Sequence, residues 1–405
     1  MHCAIPINDH LTWVGTNDRE TDLFEGIWPL PRGVSYNSYL IKGQKIVLID
    51  TVKHTAFDRY IENIRRCIGH EAKIDYLIIN HMEPDHSGSV KMLLDIFPDL
   101  KIVANQKTLS FLEHFYRITE NITVVKDGDE LDLGNRKLKF YLTPMVHWPE
   151  TMMTYDTIDK TLFAGDAFGG FGALEGGIFD DEVDIDYFEN EILRYFSNIV
   201  GKYCVPVQNA IKKLGGIEIK TICSTHGPIW RKNPSWIMSR YDRWSRHEGE
   251  EGVVIVYGSM YGNTEKMMEA VAKGLSDEDV SRIRIHNVSR MHISYLIRDA
   301  WRFRGLILGS PTYDTKLYPP MDYFIRFLEH KQLKNRVLGL FGTFGWSGGG
   351  VSTLTEFAKE GKGAWDLVEP IVEAKCSPTE ADLDLCEQLG QNVVKRLKCT
   401  EPCGK

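Results

Sequence analysis

Within six residues the chain carries His81, Glu83, Asp85 and His86, in the run Leu-Ile-Ile-Asn-His-Met-Glu-Pro-Asp-His-Ser-Gly-Ser from position 77 to 89. Two imidazoles and two carboxylates this close share one chemistry. They offer lone pairs to a metal ion such as zinc, manganese or non-haem iron. A polar surface turn would account for one such histidine. Four such groups directly after a buried apolar run favour a metal site. Pro84 cannot continue a strand ladder, so the chain turns there, and Ser87 with Gly88 supplies a helix start.

Three further residues join this set. His147 stands in Thr143-Pro144-Met145-Val146-His147-Trp148-Pro149, Asp166 follows Gly165, and His226 stands in Ser224-Thr225-His226-Gly227-Pro228. Each alone has a plainer explanation: a loop histidine between prolines, an aspartate doing turn chemistry, a histidine before Gly-Pro. Yet each lies just past a predicted strand (137–142, 161–164 and 217–223), as His81 lies past 75–80. Strand ends on one edge of a layered α/β domain open onto a common crevice. Seven candidate ligands therefore fall on one rim. His2, His10, His54, His70, His114, His247, His286, His292 and His330 follow no such pattern and read as surface or packing residues.

A second constellation lies further along. The apolar strand 253–257 leads into Ser259-Met260-Tyr261-Gly262-Asn263-Thr264, with a helix from Glu265. Hydroxyl, glycine and asparagine between a buried strand and a helix start make a cradle for a phosphate. The lysine of an NTPase loop is missing. Strand 305–309 leads to Pro311-Thr312-Tyr313-Asp314, and strand 337–341 to Thr343-Phe344-Gly345-Trp346-Ser347-Gly348. Tyr313 and Trp346 could merely cap the sheet. Beside a phosphate cradle on the same sheet edge, they favour a flavin mononucleotide (FMN) site, with one aromatic on each side of a flat ring.

The elements that position these loops follow from periodicity. Residues 34–50 alternate around a turn at Lys42-Gly43 and predict a hairpin. A helix carries Phe57, Ile61, Ile64 and Ile68 on one face, and another spans 88–97. Strands fall near 101–104 and 122–125. Residues 168–186 are glycine-rich and then acidic, a loop beside the site. The next helix carries Ile192, Phe196 and Ile199, with Tyr195 facing the site. Polar, turn-rich residues 246–252 mark a boundary. A helix opens at Pro319-Pro320, and the last begins after Ser377-Pro378. The predicted class is α/β, in two domains, 1–250 and 251–405.

Composition narrows the function. Of 405 residues 43% are hydrophobic and 26% charged, and the net charge of −8 argues against a nucleic-acid binder. Neither a signal peptide nor a membrane span is predicted. The eight cysteines include no Cys-x-x-Cys pair and read as reduced thiols in the cytoplasm. Cys399 and Cys403 could pair or bind metal, but a frayed terminus is the simpler reading.

These motifs resemble known families. Residues from about 252 look like a flavodoxin: Ser259 to Thr264 match its phosphate loop, and the 310s and 340s loops its two ring-flanking loops. Residues 1–250 resemble a metallo-β-lactamase-like αββα sandwich. Zinc hydrolases of that fold carry His-x-His-x-Asp-His, whereas here Glu83 stands in place of the second histidine. Glutamate for histidine favours iron over zinc. With a flavodoxin-like doubly wound sheet behind it, this is the mark of the flavodiiron proteins, in the class built of these two domains only.

The resemblance implies that one iron takes His81, Glu83 and His147, the other Asp85, His86 and His226, and that Asp166 bridges both. No catalytic residue beyond these ligands is implied. It also implies an oxidase: electrons pass through FMN to the iron pair, where dioxygen becomes water or two nitric oxide molecules become nitrous oxide. Trp148 and the glycine-rich loop after Asp166 are candidates for shielding the site. Such proteins act as head-to-tail homodimers, with the flavin of one chain over the iron pair of the other, and tetramers are also open. No fused rubredoxin is expected. The run Gly26-Ile27-Trp28-Pro29-Leu30-Pro31-Arg32-Gly33-Val34-Ser35-Tyr36-Asn37 looks most like the coenzyme F420H2 oxidases of methanogenic archaea, which implies reduced F420 as donor, with rubredoxin as the alternative. Nitric oxide reductase and rubredoxin:oxygen oxidoreductase are the neighbouring readings. A zinc hydrolase, or an electron carrier with a relic metal site, are the distant ones.

Overall fold

A computed structural model describes residues 4–399, so Cys3 and Cys403, and any pairing of Cys403 with Cys399, lie outside the described residues. The chain forms two compact units: one runs to Phe196 and adds Tyr203–Asp242, and the other comprises Ser197–Lys202 and the chain from Arg243.

The first unit is a metallo-β-lactamase-like αββα sandwich of two sheets. One sheet has the order Ile5–Pro6, Leu11–Trp13, Tyr39–Lys42, Ile46–Ile49, Tyr76–Ile78, Lys101–Asn105, Ile122–Val125. From Ile46–Ile49 onward its strands are parallel. The other has the order Glu130–Asp132, Lys137–Leu142, Met152–Asp156, Thr161–Gly165, Thr221–Ser224. Helix Phe57–Ile68 buries Phe57, Ile61 and Ile64, the face its period predicts.

Three local outcomes differ from the sequence reading. The run from Val34 is two strands: Val34–Tyr36 pairs with Thr16–Asp18, and only Tyr39–Lys42 makes the hairpin with Ile46–Ile49. The break at Asn37-Ser38 frees both side chains for buried hydrogen bonds. Met152–Asp156 is a strand that alternation did not reveal, because every residue in it is buried. Pro84 does not sit in a bare loop. It opens a helical turn, Pro84–Ser87, where its missing N–H is no loss.

The second unit is a flavodoxin-like doubly wound sheet. Its parallel strands lie in the order Ile283–Asn287, Glu250–Tyr257, Phe303–Tyr313, Val337–Phe344, with Asp366–Leu367 and Val372–Lys375 both on the last. The strand order reverses beside Glu250–Tyr257, and in such sheets ligands bind at that point. Helix Asn263–Ser276 crosses Glu380–Lys398 at two glycines. A Cβ on Gly274 would overlap the carbonyl oxygen of Glu387, and one on Gly390 that of Val271. Thr379 and Asp382 cap the last helix reciprocally. The Arg336 guanidinium, 1% exposed, donates to the carbonyls of Ala300, Trp301 and His247 and ties the start of this unit to its sheet. Among the described residues no helix is long and apolar enough to cross a membrane.

Candidate metal centre and flavin site

His81, His147, Asp166 and His226 each follow a strand, and the register brings these strand ends together. Thr161–Gly165 and Thr221–Ser224 are parallel neighbours with Gly165 opposite Ser224, so Asp166 and His226 emerge side by side. His81 follows Asn80, whose backbone N–H and side-chain amide both donate to Asp50, at 2.7 and 3.0 Å. Asn80 in turn accepts the Met152 N–H through its carbonyl, which joins the two sheets next to the site. The turn at Pro84–Ser87 swings Asp85 and His86 away from His81 and Glu83.

The seven side chains form two groups of donor atoms. In the first, His147 Nε2 is 3.0 Å from Glu83 Oε2 and 2.9 Å from Asp166 Oδ2, and His81 Nε2 is 3.3 and 3.4 Å from the same oxygens. In the second, His86 Nε2 is 3.3 Å from Asp85 Oδ2 and 3.0 Å from His226 Nε2, and His226 Nε2 is 3.2 Å from Asp85 Oδ2. Asp166 turns its other oxygen to this group, 3.0 Å from His86 Nε2. Ligand atoms about 2.1 Å from one ion lie about 3.0–3.4 Å apart for octahedral or tetrahedral angles. Both groups have that spacing, and Asp166 addresses each with one oxygen. Among the described residues neither oxygen of Asp85 finds a hydrogen-bond donor, although both are buried. An orphaned carboxylate facing two imidazole nitrogens is what a metal ligand looks like. The donor set fits a pair of ions, and its carboxylate share suits iron.

Electrostatics agree with that reading. Burial pushes Glu83 and Asp166 up, but the neighbouring imidazoles outweigh it and hold both carboxyls well below their usual range. Burial pushes His86 and His147 down, but the carboxylates outweigh it and raise both to about 9. Protons and metal compete for these lone pairs.

Several positioning residues escaped the sequence reading, because their partners lie far away in the chain. His226 Nδ1 donates to the Ser35 carbonyl at 2.7 Å, which leaves Nε2 bare for a metal. Asn37 donates to the carbonyls of Ser224 and Gly227, both at 2.9 Å, and clamps the His226 loop from below. Thr225 donates to Asp166 Oδ1 at 2.5 Å. Glu150 Oε1 accepts from His81 Nδ1 at 2.9 Å and from the Met82 N–H at 3.0 Å. Glu25, in the turn between Leu23–Phe24 and Trp28–Pro29, brings its carboxyl next to Glu83, where burial and the Glu83 charge raise it to about 7.

Aromatic rings wall the imidazoles. Trp148 packs edge-on against His81 with centroids 5.2 Å apart, and Phe24, Tyr36 and Tyr195 stand 5.3, 5.9 and 5.5 Å from His226. Tyr195 faces the site as expected. Its buried hydroxyl has no hydrogen-bond partner among the described residues. Burial and the carboxylates Asp166, Glu83 and Asp85 push its pKa well up, so it stays protonated. The glycine-rich loop passes between helix Ile185–Tyr195 and His226. A Cβ on Gly170 would lie 2.9 Å from the Ile192 Cα, so only glycine fits there.

In the second unit the three loops expected to hold a flavin border one cavity of about 310 Å³. Ser259, Met260, Tyr261, Asn263, Thr264, Pro311, Thr312, Tyr313, Asp314, Thr343, Phe344, Gly345 and Trp346 line it; Gly262, Ser347 and Gly348 do not. Gly262 lends its N–H to Ser259 Oγ at 3.1 Å instead and shapes the loop. The sequence reading missed Cys376, which reaches the cavity after strand Val372–Lys375. Hydroxyls and the start of helix Asn263–Ser276 border the cavity, as do the exposed rings of Tyr313 and Trp346. A phosphate with a flat ring system fits that lining.

Comparison with known proteins follows the same two units. A family model described as "ODP family beta lactamase" matches residues 34–227, and one for flavodoxin matches 255–390. The anaerobic nitric oxide reductase flavorubredoxin of Aliivibrio fischeri is 35% identical over 97% of this chain and 79% of its own length. The rubredoxin:oxygen oxidoreductase structure from Desulfovibrio gigas aligns with a TM-score of 0.92 at 30% identity, covering 98% of this chain and 99% of that one. The flavodiiron protein of Giardia intestinalis gives 0.92 at 28% identity, covering 98% and 97%. Likeness running through both units, over nearly the full length of these relatives' shared architecture, means that the chain belongs to the flavodiiron protein family.

Proposed function

We propose that this protein reduces nitric oxide or dioxygen at an iron pair, with electrons delivered through FMN in the flavodoxin-like unit. The observation that carries the reading is the shared Asp166, one oxygen toward each group of donor atoms. Two relatives' names, a nitric oxide reductase and an oxygen oxidoreductase, support the substrates. When bound, FMN and an iron pair supply the redox chemistry and the open positions for a gas molecule.

The chain's own residues do the rest. His81, Glu83 and His147 would hold one ion, Asp85, His86 and His226 the other, and Asp166 both. The protonated Tyr195 hydroxyl, without a partner among the described residues, would be free to donate to a ligand bound in the site. Trp148 and the loop carrying Phe171 keep bulk water from the imidazoles. In the other unit, the Ser259–Thr264 loop would seat the phosphate, with Tyr313 and Trp346 beside the ring.

The name of the Desulfovibrio gigas relative, a rubredoxin:oxygen oxidoreductase, supports rubredoxin as donor, and we place it ahead of the reduced F420 that the sequence resemblance suggested. The two cofactors belong to separate units, and electron transfer needs them close, so we infer a head-to-tail homodimer, alone or paired into a tetramer. Among the described residues the six cysteines are not joined in disulfides, which suits a reducing compartment such as the cytoplasm.

The test is anaerobic turnover of protein loaded with iron and FMN. Reduced rubredoxin and reduced F420 serve in turn as donors, and nitric oxide and dioxygen as acceptors. Rubredoxin-driven consumption of either gas supports the proposal. Rapid flavin reduction by F420 alone would reverse the choice of donor, and no consumption of either gas would overturn the function.

A further inference from the structure

We propose that Glu150 makes the two halves of the metal centre unequal, giving the ion held by His81, Glu83 and His147 the lower reduction potential. The proposal rests on the diiron reading and adds a residue to it. Counted by ligands alone, the halves are matched: each has two imidazoles, one carboxylate of its own and one oxygen of Asp166. The groups behind the imidazoles are not matched. His81 Nδ1 donates to a full carboxylate, Glu150, at 2.9 Å. His226 Nδ1 donates to a neutral carbonyl, Ser35, at 2.7 Å. His86 Nδ1 is buried and finds no partner among the described residues.

Glu150 is built into place. It is 1% exposed, its Oε1 also accepts the Met82 N–H, and its backbone carbonyl accepts from Asn105. Its other oxygen, Oε2, is buried without a hydrogen bond among the described residues. A carboxylate so placed is costly unless positive charge lies nearby. His81 is the only imidazole bonded to it among the described hydrogen bonds, and an ion on the far side of His81 supplies that charge. The stabilisation grows with the charge on the ion, so Glu150 favours the oxidised state of that half. A carboxylate behind a ligating histidine also fixes the ring and raises its basicity. Glu150 is thus a positioning residue that acts through His81, without touching the ions or the gas.

Glu150→Gln keeps the shape and can still accept from His81, but removes the charge. In a potentiometric titration followed by electron paramagnetic resonance, the wild type should show two separated one-electron steps with a mixed-valent signal between them. In Glu150→Gln, still holding two irons per chain, the lower potential should rise toward the upper, and the largest mixed-valent signal should fall. Equal shifts of both steps, or none, would overturn the proposal. Glu150→Ala releases the ring as well. Ferrous iron titrated into that variant should bind about 10- to 100-fold more weakly at one of the two sites. Equal weakening at both, or at neither, counts against the proposal. A wild type that binds no iron pair would overturn the diiron reading itself and this inference with it, an outcome separate from a paired site that ignores Glu150.

Discussion

Glu83 ties chemistry to sequence most directly. Its carboxylate is 3.0 Å from His147 and 3.3 Å from His81, so Glu83→Ala removes one corner of the first group of donors. Oxygen and nitric oxide consumption should vanish in that variant, while the rate of flavin reduction by the donor stays as in the wild type. A stopped-flow trace beside a gas electrode separates the two. The candidate ligands stand out in the sequence because they cluster just past predicted strand ends, in short segments of distinct polar character. Ser35 and His226 are 191 positions apart, and no local pattern announces that one carbonyl will orient the other's ring. Glu150 hides for a similar reason, since its carboxylate reads as an ordinary loop residue until His81 is seen beside it. In the second unit, Asp299 is 1% exposed and bonded to His286 at 2.7 Å and to Arg298. Burial raises its pKa, but His286 and Arg298 outweigh that and hold it at about 2, below the usual 3.8. A depressed carboxyl contributes stability that is complete above its unfolded pKa and is lost as pH falls through the folded value. Unfolding free energy should therefore drop by about 2 kcal/mol as pH falls from 5 to 2 through this group. Asp299→Asn should flatten that part of the profile in urea titrations at each pH.

Helices with one wet face were legible from their period, and fully buried strands only where an apolar run marked them, as at 253–257 and 337–341. Helix Phe57–Ile68 announces itself by its apolar stripe, whereas Met152–Asp156 shows no alternation because the sandwich covers it completely. Strand Phe303–Tyr313 runs further than the apolar stretch suggested, since Thr312 and Tyr313 pair back onto Lys316–Leu317. The crossing of Asn263–Ser276 with Glu380–Lys398 was also invisible. It depends on Gly274 and Gly390, which in a helical pattern look like weaknesses. Each glycine faces a backbone carbonyl of the other helix, and a carbonyl cannot swing aside as a long side chain can. Gly390→Ala should cost about 1–3 kcal/mol, because the helices must part to admit one methyl group. A lower urea midpoint for the flavodoxin-like unit of the full-length protein, with little change in iron content, is the expected result.

For the whole molecule, the division into two units sets the behaviour to test. If turnover needs the flavin of one chain over the irons of another, dilution below the dimer dissociation constant should lower kcat while leaving flavin reduction per chain unchanged. Sedimentation at the same concentrations provides the comparison, and full activity in a strictly monomeric sample would sink the dimer. The sequence reading carried the architecture this far because two separate motif sets had to coexist in one chain. The spatial relation of the two sets was not in either motif. One further consequence comes from the Asn37 clamp and the Asp50–Asn80 bonds. These hold the ligand loops by backbone and amide contacts that owe nothing to a metal. A pocket held by such contacts has little means to reject a wrong ion by refusing to fold around it. Zinc stands above ferrous iron in intrinsic affinity, so supply decides which ion arrives. Protein made in zinc-rich, iron-poor medium should carry the same fold and FMN yet consume neither gas. The cell that makes this protein must therefore solve by housekeeping of its metal pools what the pocket leaves open.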